Sequence, residues 1–142
     1  MQGGILIIDY GSQYTQLIAR RIRENKVYCE IHPYNKVNLK LLKKLKPNGF
    51  ILSGGPNSTL DKGSPKIPKC MKFISKPILG ICYGLQLLIN DRGGKIKKSL
   101  SREYGYTKLK ILCSSEILPK NWINKSPNVW MSHGDSVSYV PK

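Results

Sequence analysis

Between residues 4 and 91, short unbroken apolar runs alternate with stretches whose apolar residues recur every three or four positions. The run Gly4-Ile5-Leu6-Ile7-Ile8-Asp9 has no polar interruption and ends in an acid and a turn, which suits a strand covered on both faces. Residues 12–24 carry Tyr14, Leu17, Ile18 and Ile22 on one stripe, predicting a helix with Ser12 as its N-cap. A second strand is expected over 27–32 and a second helix over 38–45, led by Asn38. The third strand, 49–53, stops at Gly54-Gly55-Pro56, and 57–68 is rich enough in Gly, Pro, Ser and Asn to read as a surface loop. A short helix at 69–75 then leads to a strand at 77–81 and a helix at 83–91, closed by Gly93-Gly94.

Strands alternating with helices in this way imply right-handed βαβ units. The fold class is α/β, an open, mostly parallel, doubly wound sheet flanked by helices. After residue 94 the pattern changes. Residues 104–112 and 129–132 read as strands without long helices between them, predicting a small β excursion and then a return to the sheet. There is no internal repeat and no low-complexity linker, so residues 1–142 read as one domain.

Composition narrows the function classes. With 40% hydrophobic residues the chain can bury a real core. It has no apolar run long enough for a membrane span, and no signal peptide is visible, so a cytoplasmic location is expected. Cys29, Cys70, Cys82 and Cys113 are scattered, which gives no support to a structural zinc site or a disulfide framework. The net charge of +16 invites a nucleic-acid reading. However, the excess is spread evenly over both halves, forms no basic tail, and is mostly Lys, whereas base and phosphate recognition favours Arg. No specific nucleic-acid partner and no membrane partner is expected.

One stretch carries chemistry. Gly80-Ile81-Cys82-Tyr83-Gly84-Leu85-Gln86 follows the apolar pair Ile78-Leu79 and opens a helix. This is the strand–turn–helix pattern of a nucleophile elbow, G-x-S-x-G, with Cys in place of Ser. Glycines belong there because flanking side chains would collide with the neighbouring strand and helix. A helix N-terminus favours thiolate over thiol, so Cys82 is expected to have a lowered pKa and to be the one strongly reactive thiol. A buried core cysteine is the competing reading of the spacing alone. In open α/β sheets ligands bind beyond the C-terminal strand ends. Three conspicuous loops follow such ends, at Gly11-Ser12, Gly54-Gly55 and Cys82.

Four segments in order strengthen the enzyme reading: Ile8-Asp9-Tyr10-Gly11-Ser12-Gln13-Tyr14-Thr15, Ile51-Leu52-Ser53-Gly54-Gly55-Pro56, the elbow, and Trp130-Met131-Ser132-His133-Gly134-Asp135. Together they resemble the class I, triad-type glutamine amidotransferase domain, and within it the GMP synthase branch. The resemblance implies a flavodoxin-like fold and Cys82 as nucleophile, with Gly54, Gly55 and Tyr83 shaping the oxyanion hole. Gln86, Ser132, His133, Gly134 and Asp135 match positions that hold the glutamine substrate. It implies no cofactor in this domain. ATP and Mg would serve a partner synthetase that aminates XMP to GMP.

The chemistry agrees with those roles. Thiolate attack on the glutamine side-chain amide gives a tetrahedral oxyanion, then a glutamyl thioester and ammonia. The oxyanion needs fixed N–H donors. Tyr83 supplies the one adjacent to the nucleophile, and Gly54 or Gly55 the second, where a positive φ would turn an N–H inward. The family's general base, in a His-x-Glu pattern within Phe-His-Pro-Glu, has no match in residues 1–142. Little turnover is therefore expected of this chain alone, and an unfinished sheet would expose an edge and apolar surface. His133 is read as substrate-shaping or structural before it is read as a base, and His32 as structural. Two alternatives stay open: an inactive regulatory or interaction remnant of the fold, and an amidotransferase subunit serving another acceptor. A flavodoxin-like nucleotide binder is a weaker third.

Overall fold

The computed structural model describes residues 3–141. The chain forms two compact units, one running to Lys98 and resuming at Asp135, the other Ser99–Gly134.

The first unit is built on four parallel strands: β1 (Ile5–Asp9), β2 (Cys29–Pro33), β3 (Gly49–Leu52) and β4 (Ile78–Gly80), in the order β2-β1-β3-β4. Ile7 lies opposite Ile31 on one side and Ile51 on the other, and Ile51 lies opposite Leu79. Alternation along each strand sorts the side chains to two faces. Leu6 and Ile8 of β1 join Phe50 and Leu52 of β3 in the larger core, with Leu42, Leu45, Met71 and Leu87. Those last four come from α2 (Leu39–Leu45), a 3₁₀ turn (Lys69–Phe73) and α3 (Tyr83–Asp91). Ile7 points the other way and packs with Ala19 of α1 (Thr15–Glu24) and Cys29.

Asn38 caps α2 as the sequence indicates, its Oδ1 accepting from Leu41 N at 3.0 Å. The start of α1 differs from expectation. Its first residue is Thr15, because Ser12 Oγ accepts from Tyr14 N at 3.1 Å and closes a turn ahead of the helix. The buried positions of α1 are Thr15 and Ala19, while Tyr14 and Leu17 stand exposed. Starting the helix after residue 14 rotates the buried stripe away from the expected one, and Thr15 goes inward because its hydroxyl donates to Asp9 Oδ1 at 2.7 Å. The end of α3 is as expected. Gly93 takes φ +82 and donates to Asn90 O, and Gly94 donates to Ile89 O.

The β excursion is longer than the sequence suggests. It is a two-stranded ribbon of β5 (Lys95–Lys108) and β6 (Asn128–Tyr139). Among the described residues β6 pairs with β5 and does not return to the parallel sheet. In the first unit the ribbon's base is tied by Ser138 Oγ donating to Lys95 O at 3.1 Å. In the second, Tyr106 stacks edge-on against Trp130.

Candidate active site

The C-terminal ends of β1, β3 and β4 meet around Cys82. Asp9, the last residue of β1, accepts from Gly11 N at 3.0 Å as well as from Thr15. Fully buried Ser53, just beyond β3, accepts from Tyr10 N at 3.0 Å and donates to Gly54 O at 2.8 Å. These bonds lash the turn after β1 to the turn after β3. A methyl placed on Gly54 would lie 3.5 Å from Cys82 Cβ and 3.5 Å from Ser12 Oγ. All three expected loops therefore converge on the thiol.

The elbow is real in its backbone. Cys82 sits at φ +49, ψ −112, a left-handed conformation that side chains rarely adopt. Strain of this kind costs on the order of 1–3 kcal/mol and is held only where the surroundings dictate it. Here they do. Ile81 N donates to Leu52 O, and Gly84 N to Ser53 O and Ile81 O, each at 3.0 Å. A Cβ on Gly80 would come 2.6 Å from the Leu85 backbone, and one on Gly84 only 2.2 Å from Leu52 O. Both glycines are demanded by packing, since α3 lies directly on β3.

Cys82 is exposed at the N-terminus of α3, although the walls around it desolvate its sulfur. That desolvation pushes the thiol up, and no charged neighbour among the described residues offsets it. The expected lowering is thus not found. The helix terminus supplies partial charge only, and desolvation of the sulfur acts in the opposite direction. Cys113 in the second unit is also exposed, while Cys29 and Cys70 are buried. Limiting iodoacetamide should label Cys82 and Cys113 and spare Cys29 and Cys70 until denaturant is added. Peptide mass mapping reads this out, and early labelling of Cys29 or Cys70 would contradict the described core.

The remaining expected residues divide between the units. Tyr83 is buried, its ring 5.5 Å from that of Tyr10 and its hydroxyl donating to Pro65 O at 2.6 Å. Gly55 packs so closely that a Cβ would sit 2.5 Å from Tyr10 O. Neither Gly54 nor Gly55 takes a positive φ, contrary to expectation, so close approach explains Gly55 and handedness explains neither. Gln86 is buried, with Nε2 donating to Asp135 O at 3.3 Å. Asp135 is itself buried and accepts from Ser58 Oγ. Ser132, His133 and Gly134 precede it on β6 within the second unit, all half-buried. His32 lies on β2 with Nε2 2.9 Å from Glu30 Oε2. Three strand spacings, about 14 Å of sheet, separate β2 from β4.

Ser53, Ser58 and Tyr10 also shape the site, and nothing in the sequence alone assigns them that part. Ser53 and Tyr10 do stand in quoted motifs, but Ser58 falls in a polar loop with no pattern to mark it.

Residues 6–142 match the family model for glutamine amidotransferase class-I. The chain belongs to the class-I glutamine amidotransferase family. Among curated relatives, this amidotransferase is 46% identical over 138 residues to the GMP synthase [glutamine-hydrolyzing] of Brachyspira hyodysenteriae, covering 97% of this chain and 26% of that protein. It is 51% identical over 138 residues to the enzyme of the same name from Elusimicrobium minutum, covering 97% and 27%. The amidotransferase thus spans about a quarter of the length of these relatives. Among solved structures it resembles a putative GMP synthase subunit from Thermoplasma acidophilum, with TM-score 0.77 and 34% identity over 99% of this chain and 69% of that one. A glutamine amidotransferase from Methylobacillus flagellatus, at TM-score 0.63 and 18% identity over 99% of this chain and 57% of that one, shares the fold.

Proposed function

We propose that residues 1–142 form the glutamine-hydrolysing part of a GMP synthase, with Cys82 as its nucleophile. The observation that carries the reading is Cys82 itself, an exposed thiol on a strained elbow with Gly54 directly beside it. The Cys82 sulfur, deprotonated, attacks the amide carbon of glutamine. A C–S bond forms and the amide oxygen becomes an oxyanion. The N–H of Tyr83 donates to that oxygen, since the next N–H, of Gly84, already bonds Ser53 O and Ile81 O. The turn at Gly54 and Gly55 supplies the second donor, and the absent Gly54 side chain leaves the carbonyl room to approach. Collapse breaks the C–N bond, the nitrogen takes a proton, and ammonia departs. Water then cleaves the thioester to glutamate.

Gln86, Ser132, His133, Gly134 and Asp135 hold the substrate in this reading. Within the first unit, Gln86 Nε2 donates to Asp135 O. The ammonia passes to a synthetase domain or separate synthetase chain that uses ATP and Mg to convert XMP to GMP in the cytoplasm. Support for that partner comes from the names of the relatives and from the three-quarters of their length outside the match. No helix among the described residues is long and apolar enough to cross a membrane.

The test is an electrophilic analogue of glutamine, such as its chloroketone, with adducts mapped by mass spectrometry. Cys82 should take the analogue, and L-glutamine but not asparagine should protect it. Cys113 should respond to neither. Equal modification of the two thiols, unaffected by glutamine, would remove the basis for a glutamine site.

A further inference from the structure

The peptide between Gly54 and Gly55 is flanked by two residues without side chains, so little in its own chemistry fixes the direction of its plane. Oxyanion stabilisation needs one direction, because the donor has to be in place before the charge develops. What holds the plane is the side chain of Ser53, whose hydroxyl donates to Gly54 O at 2.8 Å. The other acceptor within reach, Asp9 Oδ1, is 3.4 Å away and already takes Gly11 N at 3.0 Å and Thr15 Oγ1 at 2.7 Å. The single hydroxyl proton therefore belongs to Gly54 O.

Ser53 is itself firmly held. Its N donates to Ile8 O, its carbonyl accepts from Gly84 N, and its Oγ accepts from Tyr10 N, each at 3.0 Å. These bonds reach β1, the turn after it and the first turn of α3, so one fully buried residue ties the Gly54–Gly55 turn to the elbow. In a trans peptide the C=O and N–H point in opposite directions, and no peptide bond among the described residues is cis. With Gly54 O turned in to the buried hydroxyl, the Gly55 N–H turns outward, where the chain passes from buried Gly54 to exposed Pro56. No backbone carbonyl among the described residues accepts from it. Pro56 restrains Gly55 from the other side.

We propose that Ser53 is a positioning residue for glutamine hydrolysis: its hydroxyl fixes the Gly54–Gly55 peptide plane and so aims the Gly55 N–H at the oxygen that the Tyr83 N–H also serves. Ser53 touches no substrate and acts through the peptide it holds. This rests on the reading of Cys82 as nucleophile and of the turn as an oxyanion donor.

The experiment compares two modifications of Cys82 in chain 1–142. The chloroketone analogue of glutamine brings a carbonyl oxygen to the expected donors, whereas methyl methanethiosulfonate has no carbonyl and reports thiolate access alone. Ser53→Ala should lower the maximal chloroketone rate about tenfold, less than the hundredfold or so of losing a donor outright. The half-saturating concentration should stay within about threefold, and the methanethiosulfonate rate should not change. The urea midpoint should fall as well, because Tyr10 N loses its acceptor. Ile31→Ala therefore serves as the control for lowered stability: it trims the smaller core on β2, across the sheet from the elbow, and should leave both rates unchanged. Ser53→Cys fills the same space with a weak S–H donor and should give an intermediate chloroketone loss, which keeps the test open where Ser53→Ala does not fold. A chloroketone rate unchanged in Ser53→Ala and Ser53→Cys would overturn the proposal and leave Cys82 as nucleophile. Equal loss of both modifications would overturn it too, since the change would then have reached the thiol rather than the donor. Chloroketone labelling of the parent chain without protection by glutamine would remove the catalytic reading and this one with it.

Discussion

Gly84→Ala should cost this chain about 3 kcal/mol of stability or prevent folding, whereas Gly54→Ala should leave stability within about 0.5 kcal/mol. The difference follows from what each new methyl meets. At Gly84 it would overlap Leu52 O at 2.2 Å and Leu52 Cβ at 2.6 Å, in the layer where α3 lies on β3. Neither neighbour can yield, since Leu52 is fully buried in a central strand. At Gly54 the nearest atoms are 3.5 Å away, ordinary contact distance. The Gly54 methyl would instead stand beside Cys82, where the substrate carbonyl has to arrive. Gly54→Ala should therefore keep the fold and lose glutamine-protected modification of Cys82. Urea unfolding of both variants, with analogue labelling of Gly54→Ala, gives the comparison. Gly93→Ala is a control: no atom lies within 4 Å, so only its φ of +82 opposes the change, worth about 1 kcal/mol. Equal destabilisation at all three positions would mean that the elbow is not packed as described.

The parallel core and the elbow were legible because each depends on local pattern. An uninterrupted run such as Ile5–Asp9 has few solutions other than a buried strand. Glycines at 80 and 84 around a lone cysteine encode a close approach that only glycine permits. The parts that were not legible depend on partners far apart in sequence. Thr15 starts α1 because its hydroxyl finds Asp9 six residues back, a choice that propensity at Ser12 does not reveal. Asp135 and Ser58 are separated by 77 positions, and no spacing rule links them. The pKa of Cys82 was misjudged for the same reason: the helix terminus is visible in sequence, but the desolvating walls are assembled from other loops. The ribbon β5–β6 reads short in the sequence because the opening of β5, Lys95-Ile96-Lys97-Lys98, is too basic to read as a strand.

Chain 1–142 alone should release ammonia from glutamine at least about a thousandfold more slowly than a version carrying the family's His-x-Glu segment, the scale of losing a triad base. Two features of the structure motivate this. Burial pushes the Cys82 thiol up, so near neutral pH it is chiefly the unreactive thiol. The chain has 2 histidines. His32 is paired to Glu30 on β2, across the sheet from the elbow. Asp135, the carboxylate nearest His133 in sequence, already accepts from Ser58 Oγ. An unassisted thiol with a raised pKa has a definite signature. Its alkylation rate should climb about tenfold per pH unit from pH 6 to beyond the ordinary thiol value near 8.5, because the thiolate fraction does so. Adding the His-x-Glu segment should raise the rate at pH 7 and flatten that climb. His133→Ala should change neither profile in the unextended chain. A plateau below pH 7 in chain 1–142, lost in His133→Ala, would show instead that His133 takes the proton, and would restore it to the catalytic role that this reading denies it.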